Sequence, residues 1–350
     1  MLYVHLRRYL FEIVIAMAKS KLFRITLFFA FLLLVASCTT NNKPSKVRSI
    51  GNTSEILVVV ENLQQWENSI GKVIKRNLGR DQTGLSQPEP LFDLAHLTKN
   101  SFSDLLKKHR NILIVEIDKN QLEPKMEVVE NLWAEPQVII RITAPNKDLF
   151  ISTLEKNIET FIEKYDKAER DRILAVFSPT SKNKVTAEIA KKVNLKMTIP
   201  DGFFLAKSEP DFIWVRKEVS EFSQGIIIFR EPYLDTAQFS KASISARTMR
   251  MLKQYVPGSV HESYMTLDEA YLVPEPKAVN GFAADYAIEL RGLWDVENDF
   301  MGGPYVSYTF ADNESEYIIT VFGYVYNPNK DKRNLLRQVE AILYSTKFTK

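Results

Sequence analysis

The densest run of residue types able to do chemistry is Glu289-Leu-Arg-Gly-Leu-Trp-Asp-Val-Glu-Asn-Asp-Phe-Met-Gly-Gly-Pro-Tyr-Val-Ser-Tyr308. Asp295, Glu297 and Asp299 alternate, so on a strand they would share one face and could bind a cation or serve as paired acids. No glycine-centred calcium loop surrounds them, and a solvated acidic loop is the simpler reading. Gly302 and Gly303 would let a backbone approach a ligand closely, with Arg291, Trp294 and Tyr305 as a cationic and aromatic wall. The competing reading is structural: Gly-Gly-Pro304 ends a loop joining two antiparallel strands, and Trp294 is core. The structural reading is preferred. Arg291, Trp294, Asp295, Asp299, Gly302, Gly303 and Tyr305 stay as candidate ligand contacts.

The chain has one cysteine, Cys38, and four histidines. A single cysteine excludes a disulfide framework, a multi-cysteine zinc site and a Cys-ligated cluster. Its setting is specific. Residues 25–37 are uncharged and mostly apolar, Lys19, Lys21 and Arg24 precede them, and Val35-Ala36-Ser37 lead directly into Cys38. Basic, apolar, small-residue order is that of a secretory signal, and the stretch is short of the ~18–20 residues a spanning helix needs. Val35-Ala36-Ser37-Cys38 looks like a bacterial lipobox. The branched residue suits a membrane-embedded peptidase (signal peptidase II), the small ones allow close backbone approach, and the thiol takes a diacylglycerol. Met17 opens a better basic region than Met1 does, so residues 1–16 could lie upstream of the true start.

Three other groupings are weaker. His96 and His109 lie too far apart for the i, i+4 pairing of helical zinc sites and are expected as surface or capping residues. His261-Glu262-Ser263 contains triad residue types, but sequence neighbours point apart and no nucleophile elbow is present. Arg247, Arg250 and Lys253 make a helical basic stripe: a solvated face, or an anion or peptidoglycan contact. No phosphate-cradling loop or dinucleotide fingerprint occurs, so no catalytic residue, metal or cofactor is assigned.

These residues must be positioned by a folding chain, and composition supports one. Of 350 residues, 45% are hydrophobic and 25% charged, with 46 Lys and Arg against 43 Asp and Glu. Removing residues 1–37 leaves 41 basic and 42 acidic residues, so the net charge falls from +3 to −1. The basic excess belongs to the signal and gives no reason to expect nucleic acid as a partner. Four segments are expected: a signal over 1–37, a lipidated flexible tether over 38–54, an N-terminal α+β domain over 55–195 and a strand-rich α+β domain over 196–350. The first domain reads β-α-α-β-β-α, with strands at 55–60, 111–117 and 137–143 and a long amphipathic helix from Leu149. The second reads as a hairpin near 203–218, a buried strand at 225–230, a helix from Asp235 or Thr236, three longer strands and a closing helix. The fold class expected is two α/β-layer domains with mainly antiparallel sheets packed by amphipathic helices. Pro145-Asn-Lys-Asp148 and Pro328-Asn-Lys-Asp331 each follow a strand and precede a helix. Ordinary turn preference and an ancient duplication both explain that echo.

The lipobox, the Asn52-Thr-Ser-Glu-Ile-Leu-Val-Val motif after the tether, Arg291-Gly-Leu-Trp294, Met301-Gly-Gly-Pro304 and Gly323-Tyr-Val-Tyr-Asn-Pro328 together resemble a family of Bacteroidetes lipoproteins, the domain of unknown function 4837. The resemblance spans about Gly51 to Phe348 and implies an envelope lipoprotein without an established activity. In that phylum, surface-exported lipoproteins look to carry acidic residues after the acylated cysteine. Thr39-Thr-Asn-Asn-Lys-Pro44 lacks them, which favours anchoring in the inner leaflet of the outer membrane, facing the periplasm. The expected partners are a lipid bilayer, through N-terminal acyl chains such as palmitate, and an envelope protein or peptidoglycan. The role expected is binding or scaffolding in envelope maintenance. The alternatives are a hydrolase using Asp295, Glu297 or Asp299 with Arg291 on an envelope substrate, and a transport-linked ligand-binding lipoprotein with an aromatic-lined cleft.

Overall fold

The Ile-Leu-Val-Val-Val run of β1 (Glu55–Val60) is buried on both faces, as a central parallel strand requires. The computed structural model that places it describes residues 9, 11–13, 46–312 and 316–349. Val35, Ala36, Ser37, Cys38 and the apolar stretch before them lie outside the described residues. The chain divides into Met1–Lys46 and Val47–Lys350, and the second unit holds both sheets. Among the described residues no helix is long and apolar enough to cross a membrane.

The first sheet has the order β2-β1-β3-β5-β4, with β2 (Asp93–Thr98), β3 (Asn111–Ile117), β4 (Lys125–Glu130) and β5 (Val138–Ala144). β2, β1, β3 and β5 run parallel, and only the edge strand β4 is antiparallel. Helices α1 (Leu63–Glu67), α2 (Ser69–Leu78) and α3 (Lys147–Phe177) share one core with this sheet. α1 and α2 are separated at Asn68, whose backbone is extended. Two separate 3-10 turns, Lys99–Ser101 and Leu106–Lys108, lie between β2 and β3. β2 and β4 escaped the sequence reading because neither has a continuous apolar run; both are edges. α3 follows the periodicity, with Phe150, Leu154, Ile158, Phe161, Ile162 and Tyr165 inward. The Asn146 side chain accepts from the Asp148 and Leu149 backbone N–H groups at its start.

After α4 (Lys184–Val193) and β6 (Leu195–Lys196) comes an eight-stranded antiparallel sheet of order β10-β12-β13-β14-β9-β8-β7, with β11 pairing on β12. Its strands are β7 (Phe204–Glu209), β8 (Phe212–Glu218), β9 (Ser223–Pro232), β10 (Tyr264–Asp268), β11 (Lys277–Asn280), β12 (Tyr286–Glu297), β13 (Gly302–Ala311) and β14 (Tyr317–Tyr326). α5 (Lys241–Tyr255) covers one face; α4 and α6 (Arg333–Tyr344) cover the other. β15 (Lys347–Phe348) returns to pair with β6. The fold is thus mixed α+β with mainly antiparallel pairing, and the parallel pairing is confined to the N-terminal sheet. α4, read with the N-terminal half, packs Val185, Ile189 and Val193 into the C-terminal core.

Two further features depart from the sequence reading. The tether is not flexible through residue 54, because Val47–Ile50 is held at the rim of the first sheet. Glu135 N–H donates to Val47 O at 2.9 Å, Ser49 N–H to Glu135 O at 3.1 Å, Ile50 N–H to Lys108 O at 3.0 Å and Arg110 N–H to Ile50 O at 2.9 Å. The echoed turn also differs in its second copy. Asn329 adopts a left-handed φ of 58° and does not cap α6. The Glu89 carboxylate, from the loop before β2, does so instead, accepting from Lys332 N–H at 2.7 Å and Arg333 N–H at 2.9 Å. Gly84, in the same loop, lies against Arg291 of β12, where an added Cβ would come within 2.8 Å of the arginine Cβ. The first half therefore grips the second by a helix terminus and a strand.

Candidate functional site

The residues singled out between Glu289 and Tyr308 fall on β12, β13 and their hairpin, but strand geometry separates them. Ile288, Leu290, Trp294 and Val296 face α5, while Ala287 faces the other core. Arg291, three residues from Trp294, reaches Glu340 of α6 on that other side. The expected wall of Arg291, Trp294 and Tyr305 is therefore split between two faces, a consequence of the two-residue period of a strand.

On the α5 face, Trp294 is 3% exposed and its indole N–H donates to Val325 O at 3.2 Å. Tyr305 stacks on Phe322 with centroids 4.8 Å apart. Tyr324 meets the Trp294 ring edge-on at 5.2 Å, and its hydroxyl accepts from the Trp214 indole N–H at 3.0 Å. Cross-strand glycines make room for these rings. Trp294 pairs with Gly303, Tyr305 with Gly292 and Tyr324 with Gly225. A Cβ at Gly225 would lie 2.0 Å from the Tyr324 ring, and one at Gly303 only 2.2 Å from Val325 O. Gly303 therefore seats the aromatic layer; it does not open the backbone to a ligand. Gly302 pairs with Asp295 beside it.

A cavity of about 150 Å³ lies next to this layer. Trp214, Trp294, Tyr324, Met265, Met301 and Arg216 line it, with the 256–259 turn closing one side. The Arg216 guanidinium stacks over Trp214 at 4.8 Å and pairs with Glu218. Of the candidate contacts, Trp294 alone lines the cavity. Trp214, Arg216, Met265 and Tyr324 were missed. They come from three other strands, β8, β10 and β14, and no local spacing links one strand's residues to another's.

The three alternating acids do not converge. Asp295 and Glu297 are exposed. Asp299 is held at the hairpin tip, where its carboxylate accepts from the Ser259 hydroxyl and the Phe300 N–H, and these bonds lower its pKa. Among the described residues no group of three or more His, Cys, Asp or Glu is placed to hold a metal ion.

Arg291 belongs to a different cluster, at the junction of the two sheets. Its Nε donates to Glu289 at 2.8 Å, and an Nη donates to Glu340. The Tyr308 hydroxyl lies 2.8 Å from Glu289 and 2.9 Å from Glu340. Arg170 of α3 stacks over Tyr344 at 3.9 Å, and Arg337 of α6 pairs with Asp166 of α3 at 2.6 Å. Burial would raise the Glu340 carboxyl, but the guanidiniums of Arg291 and Arg170 overcome it and hold it down at about 2. Burial also drives the Tyr308 phenol well above its usual range, so it stays a hydrogen-bond donor. Arg291, Arg170 and Arg337 balance Glu289, Glu340 and Asp166. This is a charge-compensated clamp between the halves, with its donors and acceptors turned on one another.

The basic stripe and the histidines are likewise structural. Arg247 is buried, Arg250 pairs with Glu231, and Lys253 lies over Tyr264 at 4.7 Å. His96 stacks on Trp66 at 4.4 Å. His109, expected at the surface or at a cap, is buried, with one ring nitrogen 3.1 Å from Glu55 and the other 2.9 Å from Asn111 O.

Fold and site define a mixed α+β body with an aromatic cavity in the C-terminal sheet and an ionic clamp tying that sheet to the N-terminal one. Residues 181–345 match the family described as Domain of unknown function (DUF4837). Residues 49–178 match a second one, Domain of unknown function (DUF8532), so the resemblance read across nearly the whole body holds for its C-terminal half. Among curated proteins no sequence matches this chain. Among solved structures, it is similar to LpqN, described as involved in cell envelope biogenesis of Mycobacterium tuberculosis. That likeness has 11% identity and a TM-score of 0.26, over 45% of this chain and 83% of that one. A protein from Bacteroides thetaiotaomicron VPI-5482 is similar at 7% identity and a TM-score of 0.21, over 45% of this chain and 46% of that one. At these scores neither likeness carries an assignment of fold or function.

Proposed function

We propose that this chain is a lipoprotein of the bacterial cell envelope, anchored through Cys38 in the inner leaflet of the outer membrane, whose body faces the periplasm and acts by binding or scaffolding. The observation that carries this reading is the sequence Val35-Ala36-Ser37-Cys38, which puts the only cysteine at the one position lipid attachment needs. Two acyl chains suffice for durable anchoring, since each buried CH₂ contributes ~0.8 kcal/mol.

The site geometry favours binding over catalysis. The hydrolase alternative needs Asp295, Glu297 or Asp299 to converge with Arg291 in a concavity, whereas Asp295 and Glu297 face solvent, Asp299 is held at the hairpin tip, and Arg291 is engaged by Glu289 and Glu340 in the clamp. The ligand-binding alternative has the cavity beside Trp214, Trp294 and Tyr324 in its support, with room for a compact apolar group. The test is affinity capture of the native protein from detergent-solubilised envelopes, in parallel with Cys38→Ala. Partners or small molecules held by the anchored form support the reading; an unchanged envelope distribution of Cys38→Ala refutes it.

A further inference from the structure

The second unit begins at Val47, and exposed aliphatic and basic side chains lie close together in the segments around it. The N-terminal ends of β1, β3 and β5 open on one rim of the first sheet, because the three run parallel. Val47–Ile50 is fastened to this rim by its bonds to Lys108, Arg110 and Glu135. The Gln137 side chain joins the two loops there, donating to Lys107 O at 2.6 Å and His109 O at 2.7 Å. Four apolar side chains stand out of the rim: Val47 (51% exposed), Ile50 (38%), Leu105 (62%) and Leu132 (45%). Arg48, Lys107, Lys108 and Arg110 lie among them, against Asp104 and Glu135. Lys107 pairs with Asp104, and Arg110 with the buried Glu169.

We infer that this rim is a membrane-contact surface whose occupant is the bilayer that holds the acyl chains of Cys38; the inference rests on the lipid anchor proposed above. Eight residues separate Cys38 from Val47. Even fully extended, nine steps of ~3.4 Å keep Val47 within about 30 Å of the anchored sulfur. A body fastened at one rim by so short a link presents that rim to the bilayer more often than any other. The link also raises the local concentration, so contacts too weak to bind a free protein become populated. Exposed aliphatic side chains beside lysine and arginine suit the boundary between acyl chains and anionic headgroups. The opposite rim, at the β3–β4 loop, carries Leu122, which is 95% exposed and serves as a control.

The test uses the acylated full-length product in vesicles containing anionic phospholipid. Leu105→Cys, Leu132→Cys and Leu122→Cys are each labelled with an environment-sensitive thiol fluorophore and quenched by lipids brominated along the acyl chain. All three positions are exposed, so the fold tolerates the label, and the Cys38 thiol is consumed by acylation. Quenching at 105 and 132 at least threefold stronger than at 122 is the expected result. Equal quenching at all three positions, or none at 105 and 132, overturns the surface. Wild-type protein that takes up the fluorophore at Cys38 overturns the anchor instead; the three labelled variants, with Cys38 replaced by Ala and held to nickel-chelating lipid through a His tag at residue 38, then decide the surface separately.

Discussion

Glu340 and Gly303 carry opposite kinds of constraint at the residue scale. Glu340 is a buried charge whose partners are all charged or phenolic, so removing its charge leaves Glu289 as the one carboxylate bonded to the buried Arg291 guanidinium. Breaking such a buried pair costs roughly 3–5 kcal/mol, and Glu340→Gln is expected to lower urea stability at neutral pH by about that much. The pH dependence follows from the depressed carboxyl. A group held at about 2 when folded contributes stability that is complete above its unfolded value near 4.5 and is lost as pH falls through 2. Urea midpoints of wild type should therefore fall between about pH 5 and pH 2, toward those of Glu340→Gln, which lacks that slope. Parallel curves would refute the linkage. Gly303 is constrained by backbone: a methyl there meets the Val325 carbonyl, which has no rotamer to move. Gly303→Ala is expected to destabilise by ~1–3 kcal/mol, the range of overpacking, and to shift the fluorescence of Trp294.

Elements read from the sequence where one local pattern sufficed, and failed to read where a distant partner decided. β1, β3 and the 31-residue α3 were legible from a β-branched run or a sustained helical period. β2 and β4 were not, since Asp93-Leu-Ala-His-Leu-Thr98 becomes a strand only by lying beside β1. The split of Arg291 from Trp294 was legible in principle, because an odd spacing on a strand means opposite faces. The cavity was not, since its walls come from residues spread between Trp214 and Tyr324. The capping of α6 was also hidden: Glu89 stands 243 positions before Lys332. Glu89→Ala removes the acceptor of two helix-terminal N–H groups and is expected to cost ~1–2 kcal/mol. Hydrogen exchange should then rise first at Lys332–Leu336. Acceleration spread evenly over both sheets would mean that the carboxylate does not act as a cap.

Across the whole molecule, the two matched segments meet in one fastened body. The clamp of Arg170, Arg291, Arg337 and Glu340 joins α3 to the C-terminal sheet, Arg333 donates to Asp93 of β2 at 2.7 Å, and the Glu89 loop closes the same seam. On the proposed reading, a body closed in this way offers the cavity to a ligand and one rim to the membrane, and the second use depends on the anchor. Intact-mass measurement of the protein purified from native envelopes tests that anchor most directly. The expected product begins at Cys38 and carries a diacylglyceryl group with an additional acyl chain on the amine. A chain that keeps residues upstream of Cys38, or begins there with a free thiol, contradicts the account.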